Sequence, residues 1–161
     1  MSSAQQHSPE PRWLSAAQLR AWRELTIMMS QLPAVLEAQL KRDAGLSYLE
    51  YYVLASLSEQ PGHSMRLSEL AGRSNSELSR LSHLISRLER RGFVRRVTDP
   101  SDGRYTMALL TGEGLAQIVA AAPAHVAEVR ELVFDVLDDA DVDALRSIAE
   151  RVNARLGGLC H

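Results

Sequence analysis

The stretch SNSELSRLSHLISRLERRGFVRRVTDPSDGRYTMALLT, residues 74–111, decides the fold. In its first half, apolar residues recur at spacings of three and four and predict an amphipathic helix with the apolar face Leu78, Leu81, Leu84, Ile85 and Leu88. Gly92 then stands where a glycine commonly ends a helix. The second half predicts two strands, at 93–98 and 105–110, joined by a turn that contains Pro, Asp and Gly. A helix followed by a basic β-hairpin is typical of a winged helix-turn-helix, in which the hairpin is the wing.

The polar face of this helix carries hydrogen-bond donors instead of the mixed charges of an ordinary solvated face. No acidic residue interrupts this face before Glu89, and its residues are Ser79, Arg80, Ser82, His83, Ser86, Arg87 and Arg90. Such side chains donate to phosphate oxygens and base edges, and an arginine can bind guanine through two hydrogen bonds. The face therefore predicts contacts with DNA.

The charge distribution supports the same prediction although the formal net charge is only -2. Residues 66–104 contain nine arginines and five acidic residues. The formal charge of this segment is therefore +4, and that of the rest of the chain is -6. A basic centre with acidic flanks is typical of a protein that touches DNA with one surface only.

Five short motifs follow one another in this region: Glu69-Leu70-Ala71, Leu78-Ser79-Arg80-Leu81-Ser82, Arg87-Leu88-Glu89-Arg90-Arg91-Gly92, Asp99-Pro100-Ser101-Asp102-Gly103-Arg104 and Leu110-Thr111. Their order and spacing together resemble the MarR family of bacterial transcription regulators. The resemblance implies a mainly α fold with a small β-hairpin wing, and dimerisation through the N- and C-terminal helices. It also implies a homodimeric regulator, a repressor, that binds a pseudo-palindromic operator in double-stranded DNA.

The resemblance further implies roles for single residues. Ser76 is expected to cap the recognition helix, with Ser74 as the alternative cap, and Arg80 and His83 stand where base-reading side chains are expected. At the wing tip, Arg104 is expected to reach DNA, oriented by Asp102, with Gly103 giving the tip its backbone freedom. The candidate DNA-binding residues are Ser76, Ser79, Arg80, Ser82, His83, Ser86, Arg87, Asp102 and Arg104.

The rest of the chain predicts helices around this winged domain. Residues 1–14 are expected to form a disordered tail, 15–46 and 112–161 a helical dimerisation region, and 47–111 the winged helix-turn-helix. Pro33 and Pro123 are expected to kink the two long helices. The predicted stripe of the helix after the wing includes Val119 and Val126, and that helix is expected to reach about Leu137, with the last helix over 142–156. Ser15, Ser47 and Thr111 are the expected N-caps.

A small aromatic or phenolic effector that lowers DNA affinity is a further implication of the resemblance. The candidate wall of its site is Trp22, Met29, Tyr48 and Tyr52. Aromatic rings with a hydroxyl group suit such ligands, whereas packing in the core and interface is the alternative use of the tyrosines. An effector-independent winged-helix or architectural DNA-binding protein is the alternative function.

Other classes of protein find little support in the sequence. No nucleophile elbow, phosphate loop or dinucleotide fingerprint is present, so neither an enzyme nor a cofactor is predicted, and no metal-ligand spacing occurs. Cys160 is the single cysteine and is expected to be an inert thiol. A cytoplasmic location is expected, because no apolar run is long enough for a membrane span or a signal peptide.

Overall fold

The computed structural model describes residues 11–157. The helices are α1 (Ala16–Ala44), α2 (Tyr48–Ser58), α3 (Leu67–Arg73), α4 (Leu78–Arg90), α5 (Gly112–Leu132) and α6 (Asp139–Gly157), and the strands are β1 (Ser64–Arg66), β2 (Val94–Thr98) and β3 (Thr106–Leu110). Short 3-10 turns span Pro61–His63 and Phe134–Val136. The prediction of a mainly α fold with a small β wing is confirmed. Most of the expected tail, and Cys160, lie outside the described residues.

None of the helices within residues 11–157 combines the length and the apolar character needed to cross a membrane.

Three helices begin at the caps that the sequence predicts. Ser15 and Ser47 each accept a hydrogen bond from the backbone N–H three residues on. Their own backbone N–H groups donate to the side chains of Gln18 and Glu50, respectively. Thr111 accepts the N–H of Gly114 at 3.0 Å. These bonds satisfy N–H groups that a helix start leaves without intrahelical partners.

Two glycines end helices by adopting left-handed backbone angles. Gly45 closes α1 at a φ of 63°, and Gly92 follows α4 at a φ of 78°. Glycine adopts this conformation without the steric penalty of a Cβ atom. The predicted stop of the recognition helix at Gly92 is thereby confirmed.

The sheet has three antiparallel strands in the order β1-β3-β2, whereas the sequence predicts only the two strands of the hairpin. In the additional strand, Met65 pairs with Ala108 of β3. On the opposite side of β3, Arg96 of β2 pairs with the same Ala108. A three-residue strand is too short to show a period-two pattern, so the sequence does not reveal β1. The sheet fixes the wing to the segment that precedes α3.

The core lies between α2, α3, α4, α5 and the sheet. Leu81, Leu84, Ile85 and Leu88 of α4 are buried in it, as predicted, but Leu78 is 52% exposed and does not belong to that face. Gly114, in the first turn of α5, is also buried, and a Cβ atom there would lie 2.1 Å from the carbonyl oxygen of Phe93. That close approach seats α5 against the beginning of the wing.

The two long helices run through their prolines without interruption, so neither Pro33 nor Pro123 breaks a helix. The inner face of α5 differs from the predicted one. Its buried residues are Gly114, Ile118, Ala121 and His125, while Val119 and Val126 are 64% and 52% exposed. Small residues allow the close packing of α5 on α1 and α2, which a period-based search for large apolar residues overlooks.

The helix ends after the wing also differ from the prediction. α5 stops at Leu132 instead of about Leu137, and α6 begins at Asp139. Asp138 accepts the N–H of Asp141 at 2.8 Å, so a carboxylate caps the start of the last helix. α6 has no buried residue, and α1 buries only Leu36, Gln39 and Leu40 near its C-terminal end.

Candidate nucleic-acid interface

The start of α4 carries no side-chain cap. Glu77 occupies the N-cap position without a capping hydrogen bond, while Ser76 donates to the carbonyl of Ser74 at 3.3 Å. The hydroxyl of Ser74, which follows the last residue of α3, donates to the carbonyl of Leu70 at 2.8 Å. The prediction that Ser76, or else Ser74, caps this helix is therefore wrong. Both hydroxyls are used in the turn, where Asn75 has a φ of 46°, and no side chain of the N-cap residue satisfies the first N–H groups of α4.

The outward face of α4 presents polar donors to solvent. Ser79, Arg80 and His83 are exposed, and we call these three residues the reading surface. Most arginines of the basic segment have a carboxylate within 4 Å, but within residues 11–157 Arg80, Arg90 and Arg95 have none. Their charges are thus available to phosphates or base edges.

Ser82 and Ser86, two other candidate contacts, are half-buried beneath the wing. The guanidinium of Arg96, on β2, donates to the carbonyl of Ser82 at 2.7 Å and to the hydroxyl of Ser86 at 3.0 Å. It also donates to Glu89 at 2.7 Å, and the backbone N–H of Arg96 donates to the same carboxylate at 2.9 Å. The hydroxyl of Ser86 meanwhile donates to the carbonyl of Ser82. The two serines therefore fasten the wing to α4, and Ser86 has its donor committed within the protein.

Arg87, also a candidate contact, lies beside a buried carboxylate. Its Nε atom is 3.5 Å from Glu50, and Arg91 is 3.6 Å from the other oxygen of that residue. Glu50 also caps α2, so one carboxylate joins the recognition helix to the first turn of α2. Arg87 remains about half exposed, at 52% of its side chain, and can reach a phosphate as well.

The wing tip holds an arginine in a fixed direction. Arg104 donates to Asp102 through Nε at 3.0 Å and through Nη2 at 2.7 Å, while its side chain stays 82% exposed. The predicted pairing of these two residues is confirmed. The hydrogen bonds from Arg104 lower the pKa of the Asp102 carboxyl group. The expected role of Gly103 is wrong, because its φ is not positive and an added Cβ would meet only Thr98 at 3.8 Å.

A second ion pair anchors the base of the wing. Asp99 is buried and accepts hydrogen bonds from the hydroxyl and N–H of Ser101 and from the guanidinium of Arg66. These bonds lower the pKa of Asp99 to about 2, the hydroxyl of Ser101 contributing most. The guanidinium of Arg66 also lies over the ring of Tyr105, 4.5 Å from its centroid. Sequence reasoning missed this cluster, because Arg66 lies 33 positions before Asp99 and 35 before Ser101.

The four residues of the candidate effector wall lie in two places. Trp22 and Met29, each 51% exposed, are on the N-terminal half of α1, and Tyr48 and Tyr52 are on α2 at 39% and 36% exposure. The hydroxyl of Tyr52 donates to the carbonyl of Arg73, so it joins α2 to the end of α3. None of the four side chains lines the groove of about 600 Å³ that α1 forms with α6.

A buried polar cluster lies next to Tyr48, where the sequence predicts none. The ring of His125 lies 4.3 Å from that of Tyr51 and 6.3 Å from that of Tyr48, and its Nδ1 is 3.0 Å from Oε1 of Gln39. The amide of Gln39 donates to Asp43 at 2.9 Å, which fixes its oxygen toward the imidazole. Burial lowers the pKa of His125. The only sequence signal for this cluster is the pair of polar residues on otherwise apolar faces of α1 and α5.

An apolar groove of about 600 Å³ lies between α1 and the region from the end of α5 to α6. Its walls are mainly apolar and include Ile27, Met28, Leu32, Leu145 and Ile148. Several of these side chains are about half exposed in the protomer, such as Ile27 at 48% and Ile148 at 51%. An uncovered apolar surface of this extent marks a place for another chain or ligand.

Comparison with known proteins agrees with this geometry. The sequence profile of the MarR family matches residues 46–106. The HTH-type transcriptional repressor YetL of Bacillus subtilis is 30% identical over 112 residues, which cover 68% of this chain and 67% of that repressor. Sco3205, a MarR family transcriptional regulator from Streptomyces coelicolor whose structure contains DNA, is 40% identical, with a TM-score of 0.86 over 89% of this chain and 90% of that one.

A second solved structure extends the likeness over nearly the whole of a relative. AbsC, also a MarR family transcriptional regulator from Streptomyces coelicolor, is 37% identical, with a TM-score of 0.88 over 92% of this chain and 99% of that one. The likeness covers the winged domain and the long helices on both sides of it. The chain belongs to the MarR family of transcription regulators, which are winged-helix proteins and not enzymes.

Proposed function

We propose that this protein is a homodimeric, sequence-specific DNA-binding regulator that represses transcription by occupying a pseudo-palindromic operator. The observation that carries the proposal is the reading surface of Ser79, Arg80 and His83, exposed on a helix whose opposite face is buried in the core. The wing lies beside this helix through Arg96 and holds Arg104 outward at its tip. A helix in the major groove with an arginine in the neighbouring minor groove is the docking that such an arrangement suits.

The dimer is proposed to form through residues 15–46 and 112–161. No residue of α6 is fully buried within its own protomer, and the helix carries four exposed apolar residues, Leu145, Ile148, Val152 and Leu156. The N-terminal half of α1 is likewise uncovered and forms one wall of the 600 Å³ groove. Helices of a second protomer would bury both surfaces. Light scattering of the intact protein at micromolar concentration should therefore give the mass of a dimer. A monomer at that concentration would contradict the proposal.

Selection of bound sequences from random duplex DNA tests the regulator directly. We expect two half-sites related by a two-fold axis with centres roughly 10 bp apart, because a symmetric dimer presents two recognition helices one DNA turn apart. Arg80→Ala and His83→Ala should each relax the preference at a defined base position by about 1–3 kcal/mol. Arg130→Ala, which removes a charge near the end of α5, is the matched control and should leave the selected sequence unchanged. Equal losses on operator and random DNA would assign Arg80 and His83 to phosphate contacts only.

The finer proposal is that a small aromatic or phenolic effector lowers operator affinity. It draws on the exposed ring of Trp22 and the exposed Met29 on the N-terminal half of α1, and on the exposed rings of Tyr48 and Tyr52 on α2. A panel of aromatic acids should contain compounds that raise the melting temperature of the protein and weaken its operator complex. Trp22→Ala and Tyr48→Ala should reduce both effects. Unchanged operator affinity and unchanged melting across the panel would favour an effector-independent DNA-binding protein.

A further inference from the structure

Leu78 is the first residue of α4, and its side chain stands out from the polar surface around it. Among the residues of α4, all of which the structure describes, it is the one large apolar side chain that remains exposed, at 52%. The other leucines of the helix, and Ile85, are at most 2% exposed. A single exposed leucine has little meaning on an ordinary surface, but this one lies at the end of the helix that carries the reading surface.

The surroundings of Leu78 decide what can cover it. Glu77 precedes it and is exposed, and Ser79 and Arg80 of the reading surface follow it. Four residues on, and therefore one turn along the same side of the helix, lies Ser82, which Arg96 holds in place. A carboxylate next to Leu78 disfavours contact with a phosphate, so base edges are the better partner for this end of α4.

The major groove offers one apolar group to such a side chain. The first residues of a recognition helix are the ones that contact base edges. The exposed edges of guanine, adenine and cytosine present donors and acceptors, which would lose water to a leucine without gaining a hydrogen bond. Thymine presents its C5-methyl group, and contact with an apolar side chain removes that methyl from water.

We propose that Leu78 is a specificity-determining residue that packs on the C5-methyl group of one thymine in each operator half-site. Leu78 thus selects a pyrimidine with a 5-methyl group, while Arg80 and His83 select hydrogen-bonding groups at other positions. Because 5-methylcytosine carries the same group at the same place in the groove, it would satisfy Leu78 as thymine does. This inference rests on the proposed function, since it requires that α4 enters the major groove.

The test removes the methyl group from the DNA and the side chain from the protein in turn. The operator is first selected with the wild-type protein, and each thymine is then replaced by deoxyuridine, which keeps the base pair and loses only the methyl. At one thymine per half-site the replacement should weaken wild-type binding about fourfold, the factor that burial of one methyl-sized group supplies. Leu78→Ala should bind the thymine and deoxyuridine operators equally, and Arg130→Ala, on α5 outside the winged domain, should keep the wild-type difference.

A second arm adds the methyl group instead of removing it. A C·G pair placed at the sensitive position should weaken wild-type binding, and 5-methylcytosine in that pair should recover about fourfold relative to cytosine. Leu78→Ala should show no such recovery. The melting temperature of Leu78→Ala should equal that of the wild type, because the side chain is exposed and outside the core.

The outcomes separate this inference from the function on which it rests. If no sequence is selected from random DNA, both the regulator and the role of Leu78 are overturned. The role of Leu78 alone is overturned if an operator is obtained but no deoxyuridine replacement weakens its binding. The same holds if deoxyuridine weakens the binding of Leu78→Ala as much as that of the wild type.

Discussion

The pairing of Asp102 with Arg104 predicts whether substitution of Asp102 weakens or tightens DNA binding. Arg104→Ala should weaken DNA binding and lower the salt slope by about one phosphate equivalent. Asp102→Ala should weaken binding too, although it removes a negative charge, because the two hydrogen bonds that direct Arg104 are lost. Affinity measured at several salt concentrations distinguishes the two effects. Asp135→Ala removes the same charge far from the wing and is the control, and tighter binding of Asp102→Ala would show that Asp102 does not orient its partner.

His125 should make the stability of the protein depend on pH. Burial lowers its pKa in the folded protein below the ordinary value of 6.5. The unfolded chain therefore takes up the proton first as the pH falls, so stability is complete above about 6.5 and declines toward the lowered pKa of the folded state. Urea denaturation at pH of about 7.5 and 5.5 should show this loss. His125→Gln should flatten it, whereas His83→Gln, at an exposed site, should keep the wild-type slope.

Arg96 joins the strand β2 to the helix α4 through side-chain hydrogen bonds that no other described residue makes. Arg96→Ala should weaken operator binding and should speed hydrogen exchange of the β2 and β3 amides, because the wing loses its attachment to the recognition helix. Arg96→Lys should not restore either property, since an ammonium group cannot reproduce the forked donors that reach Ser82, Ser86 and Glu89. Arg95→Ala removes an equal charge from the adjacent position of the same strand. Faster exchange in that variant also would contradict the attachment.

The elements that the sequence predicts correctly are those with local signals. Caps such as Ser47 and the stop at Gly92 depend on residues a few positions apart, so they can be located from the chain alone. The failures concern partners distant in sequence. β1 exists because β3 pairs with it more than forty residues later. Ser82 and Ser86 face outward by helical periodicity, but Arg96 covers them from 14 and 10 positions away.

Leu78 illustrates a different limit of sequence reasoning. Its helical spacing from Leu81 and Ile85 places it with the apolar face, yet it lies one turn before the core begins. A period assigns a direction around the helix axis, whereas burial depends also on where along the axis the neighbouring elements end. The exposed valines of α5 have a different cause, because Gly114, Ala121 and His125 occupy its inner face, and a search for large apolar residues overlooks them.

At the scale of the whole molecule, the apolar face of α6 should decide the oligomeric state. Ile148 lines the 600 Å³ groove and is 51% exposed in the protomer. Ile148→Glu should therefore yield monomers by light scattering, because a charge at that position opposes burial by a second chain. Asn153→Glu places the same charge elsewhere on α6 and should leave the dimer intact. A dimer of unchanged stability in Ile148→Glu would show that this face is not the interface.

Because no residue of α6 is fully buried within its own chain, the folding of this protein should be coupled to its association. In the proposed dimer the exposed apolar side chains of α6 and of the first turns of α1 become buried, so part of the folding free energy is released when two protomers meet. The midpoint of thermal unfolding should then rise with protein concentration, and each tenfold dilution should cost the dimer about 1.4 kcal/mol. A cell that holds few copies of such a regulator would keep a fraction of them incompletely folded, and the abundance of the chain would itself set how many functional molecules exist.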